Sequence, residues 1–309
     1  MLRPLVVYPL TGGLGRETVR RRASASMTTE AEGEGAVGRS VDVVVVGGGI
    51  AGSSLAGAVA RAGLEVLVLE RQTSYRDKVR GEYLHPWGVA EAQRLGIDAT
   101  LVAAGGSWVT EAVGYDELIP PSHAPVIRIE HIRRDVPGAM DVGHPQTCTA
   151  LAEMAVAAGV TFLRGVGDVS VSAGVAPCVR YGLDDVEHEV RCRLIVGADG
   201  RASSVRRQLG LTLHGTEPRT WGAGMLASGL ASLPVQRAAL GTHDDVLYLI
   251  FPCEGGVARL YLWYALDRLS GSSVRTGSRS FSIRSGWIAC LTARRSPPPN
   301  PPVRVPSTR

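Results

Sequence analysis

The sequence predicts an α/β protein, a parallel sheet with helices joined to a mixed or antiparallel sheet, and three stretches carry that reading. The first is "VDVVVVGGGIAGSSLAGAVARAGLEVLVLER", a strand, a helix and a second strand in 31 residues. The second is the run of short strands "VTFLRGV", "VSVSAG", "CVRYGL" and "HEVRCRLIVGADG", separated by turn residues. The third is "DDVLYLIFP" and "VARLYLWYAL", an antiparallel pair joined by "CEGG".

In the first stretch, Val43 to Val46 form the continuous apolar run of a central parallel strand covered on both faces. Gly47, Gly49 and Gly52 then satisfy GxGxxG. The first glycine allows the tight turn, the second the approach of a pyrophosphate, and the third close packing of helix on strand. The helix opens at Ile50 and Ala51, where unpaired N–H groups and the positive end of the dipole suit phosphates. Glu70 ends the second strand, with Arg71 next to it, eighteen residues after Gly52. A carboxylate there accepts hydrogen bonds from ribose hydroxyls, and it opposes a 2′-phosphate. The motif therefore predicts a Rossmann-like site for FAD or NAD rather than NADP, and does not choose between those two.

Further along, a helix is expected from Pro86 to Leu95, ending at Gly96, and another from Thr147 to Ala158, ending at Gly159. In the latter, Leu151, Met154, Ala155 and Ala158 recur at helical spacing. Asp199 and Gly200 close a strand, and Ser203, Ser204 and Val205 open a helix. Residues 1–40 lack periodicity and are expected to be a disordered extension, with Met27 a candidate natural start. Residues 269–309 are rich in arginine, serine and proline, have no hydrophobic face, and are expected to be a disordered tail.

Charge and composition exclude several classes. The net charge of +4 comes from the ends: seven arginines and no acid from Arg275 onward, and a surplus of two positive charges in residues 1–40. The central body is mildly acidic and offers nucleic acid no basic patch. No apolar run approaches a membrane span. Cys148, Cys178, Cys192, Cys253 and Cys290 show no CxxC or zinc spacing, so they read as packing thiols in a cytoplasmic protein. His85, His144, His188, His214 and His243 show no metal spacing, and no metal is expected. Asp184–Asp185 and Asp244–Asp245 read as turns.

Together, the glycine motif and "GADGRASSVRRQLG" resemble the FAD-dependent monooxygenases of the p-hydroxybenzoate hydroxylase type, over residues 41–265. The resemblance implies a Rossmann-like FAD-binding domain over 41–268 with an inserted, mixed or antiparallel substrate domain, its strands at about 106–143 and 212–265. It makes FAD the cofactor and NAD(P)H the co-substrate. It places the segment of Asp199 and Gly200 against both. In "VRGEYLHPWGVAEAQRLGI" it gives Arg80 to the ribityl–phosphate region. In "HPQTCTALAEMAVAAGVTFLRG" it puts His144, or nearby Gln146, where relatives carry Arg or Gln facing the flavin. The implied activity is transfer of one oxygen atom of O2 to a small organic substrate, aromatic and polyketide compounds among the candidates. No protein nucleophile is required, and no catalytic residue is assigned. Tyr248, Phe251, Tyr261, Trp263 and Tyr264 are candidates for the cavity wall. Relatives carry a further Gly-Asp segment downstream, and none follows Arg268, so a C-terminally truncated member is expected. The alternatives are a flavin reductase of the geranylgeranyl-reductase kind and an inactive remnant.

Overall fold

Val44 and Val45 are fully buried in the structure, a computed structural model that describes residues 8–9, 40–77, 83–228, 233–243 and 246–266. In chain order the first elements are β1 (Tyr8–Pro9), β2 (Ser40–Val46), α1 (Ile50–Arg61) and β3 (Val66–Glu70). Then come β4 (Tyr83–Leu84), α2 (Pro86–Arg94), α3 (Asp98–Ala103), β5 (Ser107–Val109), β6 (Glu111–Tyr115), β7 (Val126–Arg128) and β8 (Ala139–Asp141). The next group is α4 (His144–Ala157), β9 (Thr161–Arg164), β10 (Val169–Ser172), β11 (Cys178–Leu183), β12 (Val186–Gly197) and α5 (Ser204–Gln208). The last four are β13 (Thr220–Ser228), β14 (Arg237–His243), β15 (Val246–Cys253) and β16 (Val257–Ala265).

Six strands make the first sheet, in the order β10-β11-β12-β2-β3-β9. Strand β2 runs parallel to β3 on one side (Val46 opposite Leu69) and to β12 on the other (Val46 opposite Gly197). The chain leaves β2 towards β3, and β12 arrives on the opposite side. That reversal opens a crevice at the carboxyl ends of the strands, the usual place for a ligand in such sheets. Alternate valines explain the burial on both faces. Val43 and Val45 pack with Ala56 of α1 and Ala155 of α4, whereas Val44 and Val46 pack with Leu67, Leu69, Val179 and Val205. Small residues bring the two helices together: a Cβ on Gly57 would lie 2.7 Å from the Met154 methyl.

A three-stranded sheet, β4-β8-β5, lies under α2, α3 and α4 around Met140 and Leu151. The seven-stranded sheet, β1-β13-β16-β15-β14-β6-β7, is antiparallel except for the parallel pair β14–β6. Its register puts Leu247, Leu249 and Phe251 on the face that also carries Trp263, Tyr261 and Arg259. Tyr248 and Ile250 belong to the opposite face, with Leu260 and Leu262.

Several expectations need adjustment. Helix α4 starts at His144, three residues before Thr147, because Gly143 caps it and Pro145 occupies its first turn. Proline is tolerated there, since the first N–H groups of a helix have no internal partner. Helix α2 ends at Arg94 with Leu95 as its cap and Gly96 at φ +64°, one residue from the expected end. Residues 1–40 are not uniformly without structure: Ser40 begins β2, and Tyr8–Pro9 pairs with β13, whose edge groups accept any extended segment. Asp184 and Asp185, both at positive φ, form the expected turn between β11 and β12. The other residues of 1–40, the pair Asp244–Asp245 and the tail 269–309 with Cys290 lie outside the described residues.

Candidate functional site

The crevice at the carboxyl ends of β2, β3 and β12 encloses a cavity of 460 Å³ lined by Gly47, Gly49, Glu70, Arg71, Asp199 and Gly200, among others. Two motifs far apart in sequence are therefore brought together. Gly47 has φ +104°, and a Cβ there would lie 2.4 Å from the Ala198 carbonyl oxygen and 2.8 Å from Asp199 Cα. Only a glycine lets the first turn lie against the second motif. A Cβ on Gly52 would fall 1.9 Å from the Gly47 carbonyl oxygen, so the third glycine permits the entry of α1. Gly49, by contrast, has no atom within 4 Å of that position, which leaves its backbone open.

Glu70 is 6% exposed and held from both sides. Its Oε2 accepts from the Gly48 N–H at 2.7 Å and its Oε1 from the Gln72 N–H at 2.7 Å. The carboxylate thus ties the glycine loop to the end of β3 and keeps its remaining lone pairs at the cavity wall. No side chain caps α1, and its first turn has no acid, so an anion is the natural acceptor for the N–H groups of that turn that face the cavity.

Asp199 lines the cavity while its carboxylate opens α5. Oδ1 accepts from the Ser203 hydroxyl, and Oδ2 accepts from the N–H groups of Ser204 (2.5 Å) and Val205 (3.3 Å) and from the Ser204 hydroxyl (3.0 Å). Burial disfavours its charge, but the hydrogen bonds from Ser203, Val205 and Ser204 outweigh that and hold the carboxyl below its ordinary range. Ser203 in turn accepts from the Arg206 N–H at 2.9 Å, as an N-cap does.

His144 stands apart from the cavity lining, in the first turn of α4 with its ring 3.7–3.9 Å from Cys148 Sγ. Burial pushes the Cys148 thiol up to about 11, with the nearby Ile50 backbone opposing, so the first turn of α4 abuts that of α1. Gln146 is exposed and lines a shallow groove with Thr100 and Glu153. Arg80 lies outside the described residues.

The sequence reading missed a second polar cluster, between the three-stranded and seven-stranded sheets. Cys253 donates to Asp141 Oδ2 at 3.3 Å, and Arg259 meets Asp77 at 3.3 and 3.4 Å. Asp141 is 5% exposed, and its Oδ1 has no hydrogen-bond partner. Burial pushes Asp141 up to about 6, Cys253 to about 12 and the neighbouring Tyr83 to about 12. No pattern in the sequence marks this cluster, since its members come from β8, β15, β16 and the segment after β3. Beside it, the Tyr83, Phe251, Tyr261 and Trp263 rings form a file with centroids 4.7, 5.8 and 5.9 Å apart. Of the five aromatic candidates, Phe251, Tyr261 and Trp263 share this face; Tyr248 and Tyr264 lie on the other.

Such an arrangement defines a dinucleotide-binding α/β protein. Within that class, the chain belongs to the family described as FAD binding domain, whose profile matches residues 40–291. It is 33% identical over 186 residues to a rifampicin monooxygenase of Streptomyces venezuelae, covering 58% of this chain and 36% of the relative. It is 32% identical over 177 residues to a menaquinone reductase of Mycobacterium tuberculosis, covering 57% of this chain and 41% of the relative. The chain therefore spans less than half the length of these curated relatives. Among solved structures, the myxobacterial chondrochloren halogenase CndH matches with a TM-score of 0.66 at 22% identity, over 77% of this chain and 55% of that one. An aklavinone-11 hydroxylase solved with FAD and aklavinone matches with a TM-score of 0.59 at 22% identity, over 81% and 50%. These likenesses show the fold. FAD is the cofactor this family binds. The open Gly49 backbone, the uncapped helix and the buried acid at the end of β3 fit its adenosine and pyrophosphate. No helix among the described residues is long and apolar enough to cross a membrane.

Proposed function

We propose that the protein is an FAD-dependent, monooxygenase-like oxidoreductase that uses NAD(P)H and O2 to hydroxylate or epoxidise a small organic substrate, aromatic and polyketide compounds included. The observation that carries this reading is the joining of Gly47, Glu70 and Asp199 around one cavity. In it, Glu70 accepts from the ribose hydroxyls, and the backbone at Gly49, Ile50, Ala51 and Gly52 faces the pyrophosphate. Arg71 and Gly200 border the nucleotide, Arg80 serves the ribityl–phosphate region, and His144 lies towards the flavin end. Bound FAD supplies the redox chemistry, and the protein positions it and excludes water.

The substrate side is the seven-stranded sheet, on the face that turns Arg259 towards Asp77. Leu226, Leu240 and Leu247 share this face and are 41%, 37% and 40% exposed. A half-open apolar wall with an aromatic file at its base suits a ligand with a large apolar surface. The four free thiols among the described residues, Cys148, Cys178, Cys192 and Cys253, accord with work in the cytoplasm.

The test is oxygen uptake coupled to NAD(P)H oxidation in FAD-loaded protein, screened against aromatic and polyketide substrates. Substrate-stimulated uptake with oxygenated product supports the monooxygenase. Anaerobic reduction of an isoprenoid double bond, without oxygen uptake, supports the reductase alternative, which the comparisons do not favour. A colourless protein that takes up no FAD supports the remnant.

A further inference from the structure

Gly48, the middle glycine of the run, is held more tightly than either neighbour. Its N–H donates to Glu70 Oε2 at 2.7 Å. Its carbonyl accepts from the Tyr75 hydroxyl and from the Ser53 hydroxyl, the latter at 2.9 Å. Phe162 closes the remaining side: a Cβ on Gly48 would lie 2.4 Å from Phe162 Cζ. Tyr75 is itself fixed, because the Arg164 guanidinium sits 4.7 Å from its ring centre and 4.9 Å from that of Phe162. Burial raises the Tyr75 phenol, with Arg164 opposing, so the hydroxyl stays protonated and remains a donor.

In a trans peptide the C=O and the following N–H point in opposite directions. Pinning the Gly48 carbonyl on the Tyr75 side therefore turns the Gly49 N–H away from Tyr75. Gly49 lines the cavity and has open space beside it. A Gly-Gly peptide flips easily, since neither residue restricts φ or ψ. A flipped peptide would point a carbonyl oxygen, rather than an N–H, at an incoming phosphate.

We infer that Tyr75, clamped by Arg164, is a positioning residue that holds the Gly48–Gly49 peptide in the orientation that binds the cofactor's pyrophosphate. The inference rests on reading the cavity as an FAD site. Tyr75 and Arg164 are absent from the cavity lining, so their effect passes through the loop, not through contact with the ligand. Losing the clamp lowers the fraction of molecules with a competent loop, and apparent affinity falls by that fraction.

The experiment is stopped-flow quenching of FAD fluorescence with the full chain as wild type and as Tyr75→Phe. The association rate is expected to fall roughly three- to tenfold, the scale of one lost hydrogen bond, while the dissociation rate changes little. Arg164→Met, which keeps the hydroxyl but removes the clamp, is expected to act in the same direction, by about twofold, and serves if Tyr75→Phe does not fold. A merely structural role would lower the melting temperature and leave the association rate of the folded protein unchanged. Unchanged association in both variants, or an affinity loss carried by faster dissociation, overturns the inference while the flavin reading stands. A wild-type chain that takes up no FAD removes both.

Discussion

The nucleotide crevice and the seven-stranded sheet are built on opposite terms. In the crevice, the two carboxylates beside the glycine loop are engaged by protein donors: Glu70 by two backbone N–H groups, Asp199 by two backbone N–H groups and two hydroxyls. In the second region, Leu226, Leu240 and Leu247 stand partly open, and the buried Asp141 leaves one oxygen without a partner. The first region has both of these carboxylates satisfied and its shape fixed by the protein itself. The second leaves apolar area uncovered and one buried acid incompletely satisfied. A cofactor shared across a family suits the first, and a substrate that varies among relatives suits the second.

Substitutions can break this contrast, and the largest effect belongs to Gly47→Ala. Its positive φ and the 2.4 Å approach to a backbone oxygen leave no room for relaxation. A loss of about 4 kcal/mol or of the folded protein altogether is expected in denaturant unfolding. Asp141→Asn comes next. The folded-state pKa of Asp141 is raised from 3.8 to about 6, so the folded protein keeps a proton that the unfolded chain releases. Its contribution is fully present below about pH 4, is lost as pH rises through 6, and is flat above. Replacing the acid by its neutral isostere should flatten this dependence and raise stability at pH 8 by roughly 3 kcal/mol, with little change at pH 4. Thermal unfolding across that range checks it.

Asp199→Ala removes the acceptor at the start of α5 and should cost about 1.5 kcal/mol in unfolding experiments, with FAD affinity weakened through the displaced turn. Leu240→Ser should be the mildest, within about 0.5 kcal/mol in stability. A rise in KM for an apolar substrate would sharpen the contrast; a large loss of stability would erase it.

The crevice was legible because its parts are close in sequence. Strand, glycine loop, helix and acid fall within 31 residues, and each residue type has one dominant physical use. The second motif, around Asp199, was legible as a strand-to-helix turn, although the capping duty of its carboxylate was not. What stayed hidden depends on register between distant strands. Asp141 and Cys253 are 112 residues apart, and only the meeting of β8 with β15 makes them neighbours. Gly48 falls between the motif's defined glycines, and only the fold brings Phe162 and Tyr75 around it. The periodicity that predicts α4 begins at Thr147, whereas its first turn from His144 depends on the Gly143 cap and carries no apolar repeat.

Competition against bound FAD tests the central claim most directly, with ADP and FMN as the two halves of the cofactor offered separately. If the adenosine and pyrophosphate lie between Gly47, Glu70 and Asp199, ADP displaces FAD at concentrations where FMN does not. Displacement by FMN with indifference to ADP would contradict the account.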